Sequence, residues 1–408
     1  MRFSKLLLAA LVVLPASAYA QRAPQRPNIN FPEYEFTVIK ENPITPIKNQ
    51  ANSGTCWCYS AISFLESEAI RINDISDEAN YPDFAEMFVV SHSYQDRADK
   101  YVRLDGKLNF GQGSECEDVI HVMKDYGLVP QEIQEGLNYG TTLNAHGELE
   151  AGLIAYLESV VKSRQLTTGW KNAFKGIVDA YLGECPEEFE YNGKTYTPAE
   201  YRDSYNLNPD DYVSLTSFTH HPFYEKFAIE VCDNWRYDQA YNVPLDELMD
   251  ALYYALEHGY TTTWGGDVSE IGFNREGLGI LVDQDALPKT PTAGSDEQRW
   301  VGGPDGAPGA GPEPKNEEAV KELTVTQESR QAEFDNHKTS DDHGMHAFGV
   351  ATDQFGNKYV MIKNSWGDSG KYHGIWYLSD AFTRGKMIDF MVHKDGLPKE
   401  LKKKLGID

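Results

Sequence analysis

Gln50-Ala51-Asn52-Ser53-Gly54-Thr55-Cys56-Trp57-Cys58-Tyr59-Ser60 is the stretch from which the fold is read. From Cys56 to about Asn73 the apolar residues Trp57, Ile62, Phe64, Leu65, Ala69, Ile70 and Ile72 recur at roughly helical spacing, which predicts a long buried helix. Ser53, Gly54 and Thr55 supply capping and tight-turn chemistry just before it. Cys56 therefore falls at a helix N-terminus, where the dipole and free N–H groups lower a thiol's pKa. Far downstream stand Asp342-His343-Gly344-Met345 and Lys363-Asn364-Ser365-Trp366-Gly367. Cys, His and Asn in that order are the parts of one chemistry: a thiolate nucleophile, a base beside it, and an amide that aims the base. Gln50, six residues before Cys56, is placed to stabilise an oxyanion together with the Cys56 backbone N–H. Trp366 is expected to shield the His–Asn bond from water.

Composition narrows the function classes. The formal charge of −26 over 408 residues repels phosphate backbones, which argues against nucleic-acid binding by general electrostatics. Arg2 and Lys5, the apolar run Leu6 to Leu14 and the small-residue site Ala18-Tyr19-Ala20 read as a signal peptide over residues 1–20. The expectation is an exported protein, periplasmic or secreted, with no membrane span. Cysteines stand at 56, 58, 116, 185 and 232. Setting Cys56 aside leaves four, an even number in a disulfide-permissive compartment. Cys185 with Cys232 is the first pairing to test, and four free thiols are the alternative. Zinc fails on spacing, since Cys56 and Cys58 point to different sides of a helix and no second metal pair exists. No metal and no organic cofactor is expected.

Along the chain, Val119 to Tyr126 reads as a helix closed by Gly127, and Pro244 to His258 as an amphipathic helix ending before Gly259. Tyr260 to Trp264 is β-rich, and Ala347–Ala351 and Lys358–Ile362 read as two strands around an Asp353-to-Asn357 turn. Residues 130–260 are mostly helical in pattern. Clustered Gly and Pro at 293–314, within an excursion over 286–318, mark a surface loop.

Taken together, these motifs resemble papain-like cysteine peptidases, and more closely the bleomycin hydrolase and aminopeptidase C branch. Lys48-Asn49-Gln50 with Gly54-Thr55-Cys56-Trp57, Asp125-Tyr126-Gly127-Leu128-Val129-Pro130, Leu215 to Tyr224, the Trp264 to Asp267 strand and Asp342 to Met345 carry the likeness. It implies an α+β, two-lobed papain-like fold. A mainly helical lobe (about 45–285, with the large insertion 130–260) would pack against an antiparallel β-barrel lobe (319–395), followed by a tail at 396–408. In such peptidases the catalytic His is followed by a small residue and often by Gly six positions on. His343 has Gly344 and Gly349, whereas His346 has Ala347 and Asp353. Three apart on a strand, the two histidines face opposite sides, so His343 is taken as the base and His346 as a structural or substrate-facing residue.

The resemblance further implies a thiolate–imidazolium resting pair, a thioester acyl-enzyme, peptide substrates and aminopeptidase action. In this branch a C-terminal tail occupies part of the cleft and favours free amino termini, and some members are hexamers. Gly113-Ser114 stands where the branch's cleft-lining loop usually has Gly-Gly, so these two residues are the expected substrate-binding backbone. An endopeptidase with an open cleft on the same triad is the alternative. A catalytically idle papain-fold binding protein is the third reading, which the intact Gln50, Cys56, His343 and Asn364 oppose.

Overall fold

The computed structural model describes residue 29 and residues 31–287 and 318–408. The signal-peptide stretch and most of the Gly/Pro-rich excursion lie outside them.

Helix α1 spans Cys56–Ile72, and 13 of its 17 residues are buried, so it is a central element rather than an amphipathic surface helix. The expected side-chain cap does not form. The Thr55 hydroxyl turns to Ser53 Oγ at 2.6 Å, while its carbonyl accepts from the N–H groups of Cys58 and Tyr59. On one side of α1 pack α2 (Glu86–Arg103), α3 (Glu117–Asp125), α4 (Gly147–Val161), α5 (Gly169–Leu182) and α6 (Pro198–Asp203). They share an apolar cluster through Leu65, Phe88, Val122, Leu153 and Val178. The stretch 130–260 is less helical than its pattern predicts. Besides α4, α5, α6 and α7 (Leu245–Glu257), it holds the hairpin β2 (Phe189–Tyr191) and β3 (Lys194–Tyr196), then β4 (Tyr212–Thr216), β5 (Lys226–Ala228) and β6 (Gln239–Asn242). β4 finds an edge to pair with on a strand far downstream, a tertiary partner that local pattern does not reveal.

The other side of α1 meets a large sheet. To β1 (Phe36–Glu41), β4, β5 and β6 it adds β7 (Thr262–Gly266), β8 (Phe273–Asn274), β9 (Leu278–Gly279), β10 (His343–Asp353), β11 (Lys358–Lys363), β12 (Ile375–Ser379) and β13 (Met387–His393). The order is β5-β6-β4-β13-β7-β10-β11-β12-β9-β8, with β1 attached to β10. β10 shares one edge between two partners: its first residues pair with β7 and its last with β1. All of its residues but Thr352 are buried, because α1 covers one face and the sheet's own core the other. The antiparallel barrel expected from the sequence is corrected to a mixed sheet. β4–β6 and β9–β12 are parallel pairs, and no pair joins β5 to β8 among the described residues.

After α8 (Gln327–Asp335) and α9 (Asp380–Lys386), the chain ends in α10 (Lys399–Leu405). Leu401 and Leu405 are buried in the sheet-side cluster, Lys404 pairs with Glu247 at 2.8 Å and Lys402 with Asp395 at 3.0 Å. The tail is thus folded onto α7 and the end of β13. All five cysteines are free thiols, so the Cys185–Cys232 bridge is not formed. Instead Cys185 Sγ accepts from Gln134 at 3.4 Å.

An ion cluster with two buried carboxylates, Glu66 and Glu86, clamps the two sides together. Lys48 Nζ reaches Asp83 at 2.6 Å, Glu86 at 2.7 Å and Glu66 at 3.5 Å. Lys363 on β11 joins through Thr45, whose hydroxyl bonds Glu66. Burial works against the Lys48 charge, but Glu66, Glu86 and Asp83 outweigh it and hold its pKa well above the ordinary value. Removing the lysine leaves carboxylates buried without their partner. Lys48→Met is therefore expected to lose about 3–5 kcal/mol of stability, read from urea unfolding midpoints; a loss under about 1 kcal/mol would show that the cluster is solvated like a surface pair.

Candidate active site

The first turn of α1 lies against the start of β10 with almost no room between them. A Cβ on Gly344 would stand 3.1 Å from Trp57 Cα and 3.3 Å from Trp57 N, so glycine is what lets the helix N-terminus seat there. Ser60 Oγ, one turn on, donates to the Met345 carbonyl. Cys56 and His343 therefore belong to one junction, and the backbone N–H groups of Gly344 and Trp57 act on the Cys56 sulfur.

His343 Nε2 lies 2.9 Å from Asn364 Oδ1. The same oxygen accepts from the Ser365 N–H at 2.7 Å, which identifies it as the carbonyl end of the amide. It can accept but not donate, so His343 Nε2 must carry the hydrogen, and Nδ1 is left as the basic nitrogen. Trp366 stacks on the imidazole at 4.8 Å between centroids and 29°, and is itself 36 % exposed, a lid between this bond and solvent. Gln50 is held at both ends of its amide: Oε1 accepts from Ser365 Oγ at 2.5 Å and Nε2 donates to the Ser53 carbonyl at 2.6 Å. A second Nε2 hydrogen remains for another acceptor. The Gln50 backbone N–H bonds the Ser365 carbonyl at 2.8 Å, tying the segment before α1 to the one after β11.

Burial weighs against both charged forms at this site. Burial pushes the Cys56 thiol up to about 11, against the lowering by Gly344 and Trp57 N–H groups, with Asp341 and Asp233 adding negative charge nearby. Burial pulls His343 down to about 4, opposed by its bond to Asn364. In the free site both effects favour the neutral pair. No hydrogen bond joins thiol and imidazole among the described residues.

The remaining expected residues are placed as follows. Gly113 and Ser114 lie beside the turn before α1, since Gly54 N–H donates to Gln112 Oε1 at 2.8 Å and Trp57 Nε1 to the Gln112 carbonyl at 3.0 Å. The Gly113 carbonyl already accepts from Arg97. His346 is fully buried, 2.8 Å from Ser63 Oγ of α1, and away from the His343–Asn364 bond. His220 and His221 both reach Glu230, at 2.9 and 2.8 Å. The Thr219 N–H donates to Gln331 Oε1, so Gln331 Nε2 must donate to His220 Nδ1, which leaves the hydrogen on the nitrogen facing Glu230. Arg97, Asp233 and Trp235, which surround Gly113-Ser114, were not singled out from the sequence. They belong to no motif: Arg97 comes from α2, and only the three-dimensional path of the insertion brings Asp233 and Trp235 beside it.

Two results are expected. The kcat/KM profile should fall below about pH 4, where His343 gains a proton and can no longer take one from the thiol. It should hold through pH 9 and fall only near 11, where the thiol ionises and no proton remains for the leaving group; a basic limb between 8 and 9 would instead mark a charged resting pair. Gly344→Ala should displace the start of α1 by a few tenths of an ångström and lower kcat/KM by roughly tenfold in steady-state assays, while full activity would mean that this seating is not critical.

No protein-family model matches the chain. Aminopeptidase C of Lactobacillus helveticus is 22% identical over 397 residues, covering 87% of this chain and 81% of that protein. Aminopeptidase C of Lactococcus lactis subsp. cremoris is 20% identical, covering 91% and 85%. The mitochondrial cysteine proteinase 1 of Saccharomyces cerevisiae (strain YJM789) is 22% identical, covering 90% and 79%. Among solved structures, PepW of Lactobacillus rhamnosis HN001 superposes with a TM-score of 0.64 at 18% identity, covering 91% of this chain and 84% of that one. The chain shares the fold of PepW.

Proposed function

We propose that the chain is a cysteine peptidase that removes residues from the free amino termini of peptides, using Cys56, His343 and Asn364. The observation that carries this reading is the oriented His343–Asn364 bond at the strand start against which the Cys56 turn is seated. The names of the relatives, aminopeptidase C above all, support the peptidase class and the exopeptidase mode.

In this mechanism His343 Nδ1 takes the Cys56 proton as the sulfur attacks a peptide carbonyl, and the new charges arise together in a site that excludes water. The tetrahedral oxyanion is received by the Cys56 backbone N–H and the second hydrogen of Gln50 Nε2. His343 returns its proton to the leaving amine, giving a thioester on Cys56, and a water activated by His343 then releases the acid. Asn364 holds the ring through Nε2 in both half-reactions, with Trp366 over the bond. Protein groups perform each of these steps, and the reading also includes export of the chain under the 1–20 signal.

An endopeptidase on the same residues is favoured by one observation, the docking of α10 on α7 rather than at the Cys56 junction. Both readings share a test. Cys56→Ala should abolish hydrolysis of fluorogenic dipeptides, and Asn364→Ala should lower kcat by roughly 10- to 100-fold with little change in KM. Retained turnover by the Cys56 variant would remove the peptidase reading.

A further inference from the structure

Since the C-terminal tail is engaged elsewhere, a preference for free amino termini needs another source. The strand-to-strand segment 230–238 lies over the loop that borders the Cys56 turn. The Asp233 carboxylate rests on Gly113 so closely that a Cβ there would collide with it. Trp235, 2 % exposed, donates from Nε1 to Ser114 Oγ at 2.7 Å, and Asp118 takes up the same hydroxyl. The segment is fastened from below. Asn109 Nδ2 donates to Asp233 Oδ1 at 2.9 Å, Lys100 Nζ to the Arg236 carbonyl at 3.1 Å, and Arg236 pairs with Asp96 and Asp118. With the Gly113 carbonyl already taken by Arg97, an extended peptide could pass along this loop only by displacing the segment.

The charge at this barrier is of the right sign and in the right place. In a peptide cleaved after its first residue, the α-ammonium lies two bonds from the attacked carbonyl carbon, so its anchor must stand close to the nucleophile. The Asp233 carboxylate packs on Gly113, next to Gln112, whose carbonyl receives the indole N–H of Trp57 beside Cys56, and both Asp341 and Asp233 add negative charge near the thiol. Asp341, half-buried like Glu115, is hydrogen-bonded to that carboxyl group, and desolvation pushes it up to about 7. Asp233 keeps 29 % of its side chain exposed, with Arg97 3.5 Å away, and, unlike Asp341, it packs directly on Gly113 of the loop beside the Cys56 turn. We infer that segment 230–238 closes the amino-terminal side of the cleft and that Asp233 binds the α-ammonium of the substrate.

This inference rests on the proposed peptidase function and sharpens it: the preferred substrates are short peptides with a free, protonated amino terminus. The test uses the full chain with a fluorogenic aminoacyl amide and its N-acetyl twin, comparing the parent, Asp233→Asn, Asp233→Glu and Cys56→Ala. Asp233→Asn keeps the size of the side chain while removing its charge. It should raise KM for the free-amine substrate about 10- to 100-fold, the scale of one charge-assisted hydrogen bond. The acetylated twin should be unaffected, even where the thermal midpoint falls with the lost Arg97 pairing. Asp233→Glu should restore part of the preference, which a merely structural role would not predict. An unchanged free-to-acetyl ratio in Asp233→Asn, or equal use of both substrates by the parent, overturns the inference while leaving the peptidase standing. Turnover that survives in Cys56→Ala removes the peptidase reading itself.

Discussion

The seating of the α1 N-terminus on Gly344 is the constraint from which the rest follows. A buried helix start has unpaired N–H groups, and it can be packed against a strand only if the backbones come close and those groups find partners. The glycine provides the approach, and the thiol of Cys56 lies within reach of the Trp57 N–H of the helix start and the Gly344 N–H of the strand. Once that contact is made, the next residue back along β10 is His343, and β11 returns beside β10 to deliver Asn364. The antiparallel register, with His346 opposite Lys363, makes the amide and the imidazole neighbours.

Two further layers keep this junction from slipping. Above it, Gln50 and Ser365 exchange backbone and side-chain hydrogen bonds, and Asn49 bridges to Trp366. Below it, Lys48, Glu66, Glu86 and Lys363 form a charged cluster whose members come from a loop, two helices and a strand. Buried charge is a costly way to join two bodies, but a misaligned cluster would leave charges unpaired, so it selects one relative position. The same low-dielectric surroundings weigh against the charged forms of the thiol and the imidazole.

Much of this was legible in the sequence because it is local. The apolar spacing from Trp57 to Ile72 gave the start and end of α1 within a residue, and the Gly127 and Gly259 stops marked the ends of α3 and α7. The turn at Asp353 to Asn357 separated β10 from β11. The illegible parts depend on distant partners. β4 becomes a sheet strand because β13, over 170 residues later, offers an edge. Nothing near Thr55 indicated that its hydroxyl would turn to Ser53 rather than cap α1. An even number of cysteines besides Cys56 left open both a bridge such as Cys185–Cys232 and four free thiols, and the fold has the free thiols. At the site, motif order identified Cys56, His343 and Asn364 as candidates. Asp233 and Trp235 carried no signal, because a segment's place over a cleft is set by the path of the whole insertion.

The central claim is that Cys56, alone among five thiols, is the nucleophile that His343 activates. The direct measurement is mass spectrometry of the intact protein and its peptides after rapid acid quench during turnover of a slowly deacylating peptide ester. The account predicts a thioester adduct on Cys56, greatly diminished in His343→Ala. Hydrolysis with the acyl group on another residue, or with no covalent intermediate and undiminished in Cys56→Ala, would contradict it.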